Sequence, residues 1–136
     1  MPLLLLAFTA LMLTPLAQSS PPSTGVKAFA KTPDAFEMPI EAAGLASLPE
    51  VRLDADSGEL FVAYRYAAGD AQRAGGMTLL PDPGDANRYR GRWRTVEDSG
   101  VVYAGELYLD FDSDGTARGE YTFNGSDYAI GIRRRP

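Results

Sequence analysis

The 136-residue chain contains no cysteine and no histidine. Without thiols there is no disulfide framework, no thiolate nucleophile and no zinc-thiolate site. Without imidazole the Ser-His-Asp and Cys-His arrangements are gone, along with most transition-metal sites and the side chain best suited to proton transfer near neutral pH. Lysine is almost as scarce, occurring only at Lys27 and Lys31. Acid–base chemistry would therefore have to rest on carboxylates, tyrosines and arginines. The chain is also poor in net positive charge. Its formal charge is -5, with five basic and ten acidic side chains in residues 1–86 and eight of each in residues 87–136. That balance argues against nucleic-acid binding, which needs clustered positive charge to neutralise phosphates. Arg133, Arg134 and Arg135 read as a solvated basic end.

Long apolar runs are missing as well. The stretch Leu3 to Leu13, interrupted by Thr9, falls short of the roughly 20 residues that span a bilayer. Small residues follow at Ala17 and Ser19, so residues 1–19 read as a secretory signal peptide cleaved after one of them, although no basic residue precedes the apolar core. The expected product is an exported monomer, periplasmic or secreted, with no stable membrane insertion after cleavage. Ser19 to Gly25 is rich in proline and serine and reads as a linker. From Val26 to Pro49 the pattern is irregular: Val26, Ala28 and Ala30 alternate with Lys27, Phe29 and Lys31, while Ile40 to Leu48 could form one or two helical turns. Residues 20–50 are thus expected to be linker and irregular chain, leaving residues 51–136 as one antiparallel β domain.

Within that domain the residues present are those of short strands and tight turns. Strand runs are expected at Val51–Ala55, Glu59–Tyr66, Met77–Leu80, Asn87–Val96, Val101–Phe111, Ala117–Phe123 and Ser126–Ile132. Asp56-Ser57-Gly58, Asp98-Ser99-Gly100 and Ser113-Asp114-Gly115 have the chemistry of three-residue hairpin loops, and Asn124-Gly125 that of a two-residue loop. Loop length fixes register. One face then collects Tyr89, Trp93, Leu107, Leu109, Phe111, Tyr121, Phe123, Tyr128, Ile130 and Ile132, with Gly105 between Trp93 and Phe123 and Gly119 between Leu109 and Ile130. The other face puts Arg92 opposite Glu106, Arg90 opposite Tyr108 and then Glu120, and Asp110 between Arg88 and Arg118. These alternatives define an all-β fold, either a small up-and-down barrel or a two-sheet sandwich of about seven short strands.

Four features could carry function. Asp110, Asp112 and Asp114, followed by Gly115, resemble the first half of an EF-hand calcium loop, although the twelfth position is Tyr121 and strands flank it. A hairpin turn rich in aspartate explains the same residues. Gly91-Arg92-Trp93 resembles the Gly-x-Trp signature of lipocalins, which implies a barrel closed by the tryptophan under a late basic residue, here Arg133. Lipocalins carry that motif on their first strand, whereas only three strands follow it here. The row Arg88, Arg90 and Arg92, with Tyr108 beside it, could face an anionic ligand or partner, or be a solvated face held by Glu106, Asp110 and Glu120. Carboxylate pairs such as Glu106 with Asp110, or Asp112 with Asp114, lack the contrasting environments that acid–base catalysis needs.

No catalytic residue or cofactor is expected from this inventory. The leading expectation is a non-catalytic exported β domain that binds a partner protein or a small ligand. The alternatives are a calycin-like barrel holding an apolar ligand and a calcium-stabilised structural module.

Overall fold

A computed structural model describes residues 22–40 and 45–136. It begins with helix α1 (Thr24–Lys31), which Ser23 caps by accepting a hydrogen bond from the Val26 amide at 3.2 Å. An eight-residue helix is marginal alone, so this one depends on what its apolar side buries. Gly25, Val26 and Phe29 are that side, spaced for a helix, and all three are buried. The segment read as linker and strand-like alternation is therefore, from Ser23 on, a capped helix. Alternate apolar residues at 26, 28 and 30 suited either period, and burial of Phe29 decided it. A short 3-10 turn at Pro33–Ala35 ends the helical stretch.

Among the described residues, nine strands follow in one antiparallel sheet. They are β1 (Phe36–Ile40), β2 (Leu45–Ser47), β3 (Glu50–Leu53), β4 (Leu60–Ala68), β5 (Ala71–Asp82), β6 (Asp85–Glu97), β7 (Val102–Phe111), β8 (Ala117–Phe123) and β9 (Ser126–Arg134). Their order is β2-β1-β9-β8-β7-β6-β5-β4-β3, and the sheet curls into a half-barrel. Two expectations are corrected by this. There is one sheet, so the two-sheet sandwich falls, and the strands number nine rather than seven. The additional strands, β1 and β2, lie where the sequence suggested irregular chain and helical turns. The expected leader, residues 1–19, lies outside the described residues.

From β3 to β9 every strand pairs with its neighbour in sequence. At Gly58 Leu53 pairs with Leu60 and Asp54 bonds Glu59, so that loop spans residues 55–58 and is four residues long, not the expected three. The other expected loops are in place: Gly100, Gly115 and Gly125 have positive φ, as does Asn124. So is the register: Arg92 lies opposite Glu106, Tyr108 between Arg90 and Glu120, Asp110 between Arg88 and Arg118, and Gly119 between Leu109 and Ile130. β5 is much longer than Met77–Leu80. Ala74-Gly75-Gly76 looks like a turn, yet Gly75 pairs with both Tyr64 and Thr95 inside the sheet.

The inward glycines explain how the sheet bends so tightly. A side chain at Gly75, Gly91, Gly105 or Gly119 would strike a backbone carbonyl of the adjoining strand, at Arg94, Thr78, Thr122 and Tyr108 respectively. Strands β5 to β8 thus each give up one inward side chain where a neighbouring backbone approaches closely. Two rings use the vacated space. The Tyr64 hydroxyl reaches across Gly75 to Thr95 Oγ1 at 2.7 Å, and Trp93 Nε1 reaches across Gly105 to donate to the Thr122 carbonyl at 3.1 Å.

The first strand of the sheet in sequence closes onto the last. β1 pairs with β9 through Phe36 with Arg134 and Glu37 with Arg133. The three terminal arginines are exposed, as expected of a solvated end, and each also holds a partner: Arg133 pairs with Glu37 at 2.7 Å, Arg134 donates to the Asp114 carbonyl, and Arg135 donates to the Asp34 carbonyl. The sheet edges also meet at one point, where the buried Ser47 hydroxyl donates to the Arg65 carbonyl at 2.8 Å and accepts from its amide at 3.2 Å.

Candidate ligand site at the open end of the half-barrel

The concave face has two unlike ends, and α1 makes the difference. At one end Val26 and Phe29 pack into the hollow with Phe36 and Phe111, the Phe29 ring lying 5.4 Å from Phe36 and 6.0 Å from Phe111. The helix is seated on the Ser113-Asp114-Gly115 turn. Gly25 lies so close to the Asp112 carbonyl that any side chain there would collide with it, and Gly115, at φ 97°, has the Phe36 ring and the Phe29 backbone against it. Burial is complete here, with Tyr89, Leu109, Leu60 and Leu79 all at 0 % exposure.

Moving along the strands away from α1, the inward residues become larger, more aromatic and less buried. On β4 the sequence runs from Leu60 and Val62, fully buried, through Tyr64 to the half-buried Tyr66. On β6 it runs from Tyr89 to the half-buried Trp93, and on β9 from the buried Ile132 to Tyr128, which is 46 % exposed. Tyr103, Tyr121 and Phe123 complete a carpet of half-buried rings. Trp93 meets Tyr121 edge-on at 5.5 Å and lies 6.0 Å from Phe123, Tyr121 stacks on Tyr128 at 5.3 Å, and Tyr103 meets Phe123 at 5.7 Å.

A charged pair, Arg73 and Glu97, borders the carpet. Arg73 donates twice to Glu97 Oε2, at 3.0 and 2.8 Å, and its guanidinium lies 4.8 Å from the centre of the Tyr103 ring. The Tyr103 hydroxyl donates to the same oxygen at 3.0 Å, and Ser99 donates to Glu97 Oε1 at 2.9 Å. Arg73, then Ser99 and Tyr103, hold the Glu97 carboxyl below the usual range, while its hydrogen bond to Glu97 pushes the Tyr103 phenol up. Burial pushes the Tyr64 phenol up to about 12. Near neutral pH Glu97 is therefore an ionised, fully engaged carboxylate, and Tyr64 and Tyr103 are neutral phenols.

The residues singled out in the sequence lie elsewhere. Arg88 grips Asp110 with two hydrogen bonds of 2.7 and 2.8 Å on the outer face, and this pairing lowers the Asp110 carboxyl. Asp112 and Asp114 share the Thr116 hydroxyl, at 3.2 and 2.7 Å, and Thr116 holds the Asp114 carboxyl low. Among the described residues, no three or more acidic, histidine or cysteine side chains are grouped to hold a metal ion. Arg90 is paired with Asp82 at 2.7 Å. Tyr108 donates to Glu120 at 2.9 Å and lies under Arg88 at 4.3 Å. Arg92 projects outward opposite Glu106. Arg133, which the Gly-x-Trp resemblance sets over the tryptophan, is engaged by Glu37 instead.

The open end was missed because alternation marks these rings as inward-facing and cannot say how far the hollow is filled. The available signal was the accumulation of tyrosine, since a phenol favours a place where its ring is covered and its hydroxyl is wet. Comparison with protein-family models, curated proteins and solved structures finds no match to this chain.

Proposed function

We propose that this protein is a non-catalytic binding domain, exported by its leader, that holds a small apolar, ring-bearing ligand on the aromatic open end of the half-barrel. The observation that carries this reading is the gradient along the concave face, from wholly buried aliphatic and phenylalanine side chains beneath α1 to half-buried tyrosines and tryptophan beyond it. A sheet that needed only a core would have no reason to end in rings that stay partly wet, whereas binding sites are concave, largely apolar and edged by a few fixed polar groups. Arg73, Glu97 and the phenol hydroxyls are that edge.

The chain carries a single tryptophan, Trp93, and it sits in the carpet. Energy transfer from it to the neutral naphthalene dye prodan therefore reads occupancy directly. Saturable transfer is expected, with affinity falling by about tenfold in Tyr121→Ala/Tyr128→Ala, the scale on which aromatic anchors contribute to binding. Unsaturable transfer, or transfer unaffected by the double substitution, would contradict the reading.

A further inference from the structure

The convex side of the same sheet carries a second feature. Strands β4 to β7 bear a furrow of about 830 Å³, lined mostly by outward residues and, between the strands, by Gly75, Trp93 and Gly105. Its floor is made of the smallest side chains on the sheet, Ala74, Gly76 and Ala104, with Val96 alongside. Phe61 stands over it. This ring lies between the buried Leu60 and Val62, is 42 % exposed, and leans across Gly76 so closely that a side chain there would touch it. A phenylalanine on an outward strand position gains nothing for the core, and glycine opposite it gives up β-propensity to keep the furrow open.

The charge around the furrow is equally uneven. Along β6, Arg88 is neutralised by Asp110 and Arg90 by Asp82, but Arg92 and Arg94, which line the furrow, make no side-chain ion pair or hydrogen bond among the described residues. Arg52, opposite Phe61 in the register, and Arg65, four residues further along β4 on the same face, are exposed and likewise unpaired among those residues. Two guanidinium groups thus line the furrow beside one exposed ring, with Arg52 and Arg65 on the same face of the sheet, against one carboxylate in the lining, Glu106 opposite Arg92, in a chain whose net charge is -5. Exposed arginine beside an aromatic ring over a small-residue floor is the composition of an interface centre.

We propose that this furrow docks an extended acidic segment of a partner protein, which seats one apolar side chain against Phe61 over Gly76 and pairs its flanking carboxylates with Arg92 and Arg94. The charge requires an acidic partner, since planar guanidinium groups take carboxylates in pairs of hydrogen bonds. The apolar floor selects a peptide over a uniformly charged polymer, which would leave Phe61 and Ala104 uncovered.

The test is fluorescence anisotropy of a fluorescein-labelled peptide in which a single leucine is flanked by glutamates, measured against a peptide with serine in place of leucine and against a labelled oligothymidylate. Saturable, salt-sensitive binding of the leucine peptide is expected. It should weaken by about tenfold in Arg92→Glu/Arg94→Glu and in Phe61→Ser, with circular dichroism confirming that these surface variants fold. Prodan binding at the concave end should be unchanged in them. The proposal is overturned if the leucine peptide does not bind, if charge reversal leaves its affinity unaltered, if the serine peptide binds as well, or if the oligonucleotide binds more tightly than either peptide.

Discussion

The two ends of the concave face are built from the same strands, yet one is filled and the other is carpeted. Beneath α1 the inward residues are Leu60, Leu79, Tyr89, Leu109 and Phe111, and the helix supplies Phe29 to close the space. Beyond it the same strands present Tyr66, Trp93, Tyr103, Tyr121 and Phe123, which remain half-buried. Filling the hollow contributes stability, and leaving it lined but unfilled creates a surface on which something else can settle. Substitutions at the two ends should therefore divide cleanly between folding and binding.

The largest effect is expected at the filled end. Phe29→Ala removes a wholly buried ring and the contacts to Phe36 and Phe111, and should cost about 3–5 kcal/mol of unfolding free energy by urea titration. A loss under about 1 kcal/mol would mean that α1 does not hold the hollow shut.

Tyr64 stands where the two ends meet, and its effect is read through pH. Its phenol ionises at about 12 in the folded chain against 10.0 in its unperturbed state. The neutral form is thus favoured by folding: the contribution is complete below pH 10 and declines as pH rises towards 12, because the unfolded chain loses this proton first. The loss across that window should be on the order of 2–3 kcal/mol. Tyr64→Phe should flatten part of it. An equally steep alkaline decline in that variant would show that the Tyr64 hydroxyl is not buried against Thr95.

The seat of the helix should come next. Gly115→Ala imposes a side chain on a backbone at φ 97° and into the Phe36 ring, for about 1–3 kcal/mol. Millimolar calcium should leave the thermal midpoint of the native chain unchanged, since Thr116 and the backbone already satisfy Asp112 and Asp114. A rise of several degrees would turn this turn from a seat into a cation site, because a ligand that binds only the folded state must stabilise it.

The smallest effect on folding belongs to the open end. Tyr128→Ala trims a ring that is 46 % exposed and should change stability by no more than about 0.5 kcal/mol. A cost comparable to that of Phe29→Ala would erase the distinction between the two ends.

Much of the filled end was legible before the fold was seen, and most of the open end was not. Turn chemistry at Gly100, Gly115 and Asn124-Gly125 fixed loop lengths, and loop lengths fixed the pairing of β6 through β9 down to Asp110 between its two arginines; at Gly58 the same chemistry stood in a loop one residue longer than expected. That inference is local, needing only a few residues around each turn. The helix was not readable, because its eight residues show scarcely two turns of periodicity and its stability comes from a hollow made by residues far along the chain. β1 and β2 stayed hidden for the same reason: β1 pairs with β9, at the other end of the chain. The run expected at Met77–Leu80 fell short of β5, since Gly75 and Gly76 carry no side chain to continue the alternation, although the strand runs through them. Alternation identified Trp93, Tyr121, Phe123 and Tyr128 as inward-facing and left out Tyr66 and Tyr103, and wetness depends on where α1 stops.

The most direct measurement of the account is an aromatic carbon–proton NMR titration of the folded chain with prodan. Saturable shifts confined to Tyr66, Trp93, Tyr103, Tyr121, Phe123 and Tyr128, with Phe29, Phe36 and Tyr89 unmoved, are the predicted result. Shifts centred on Phe29, Phe36 and Tyr89, or the absence of any saturable shift, would contradict the division of the half-barrel into a filled end and a binding end.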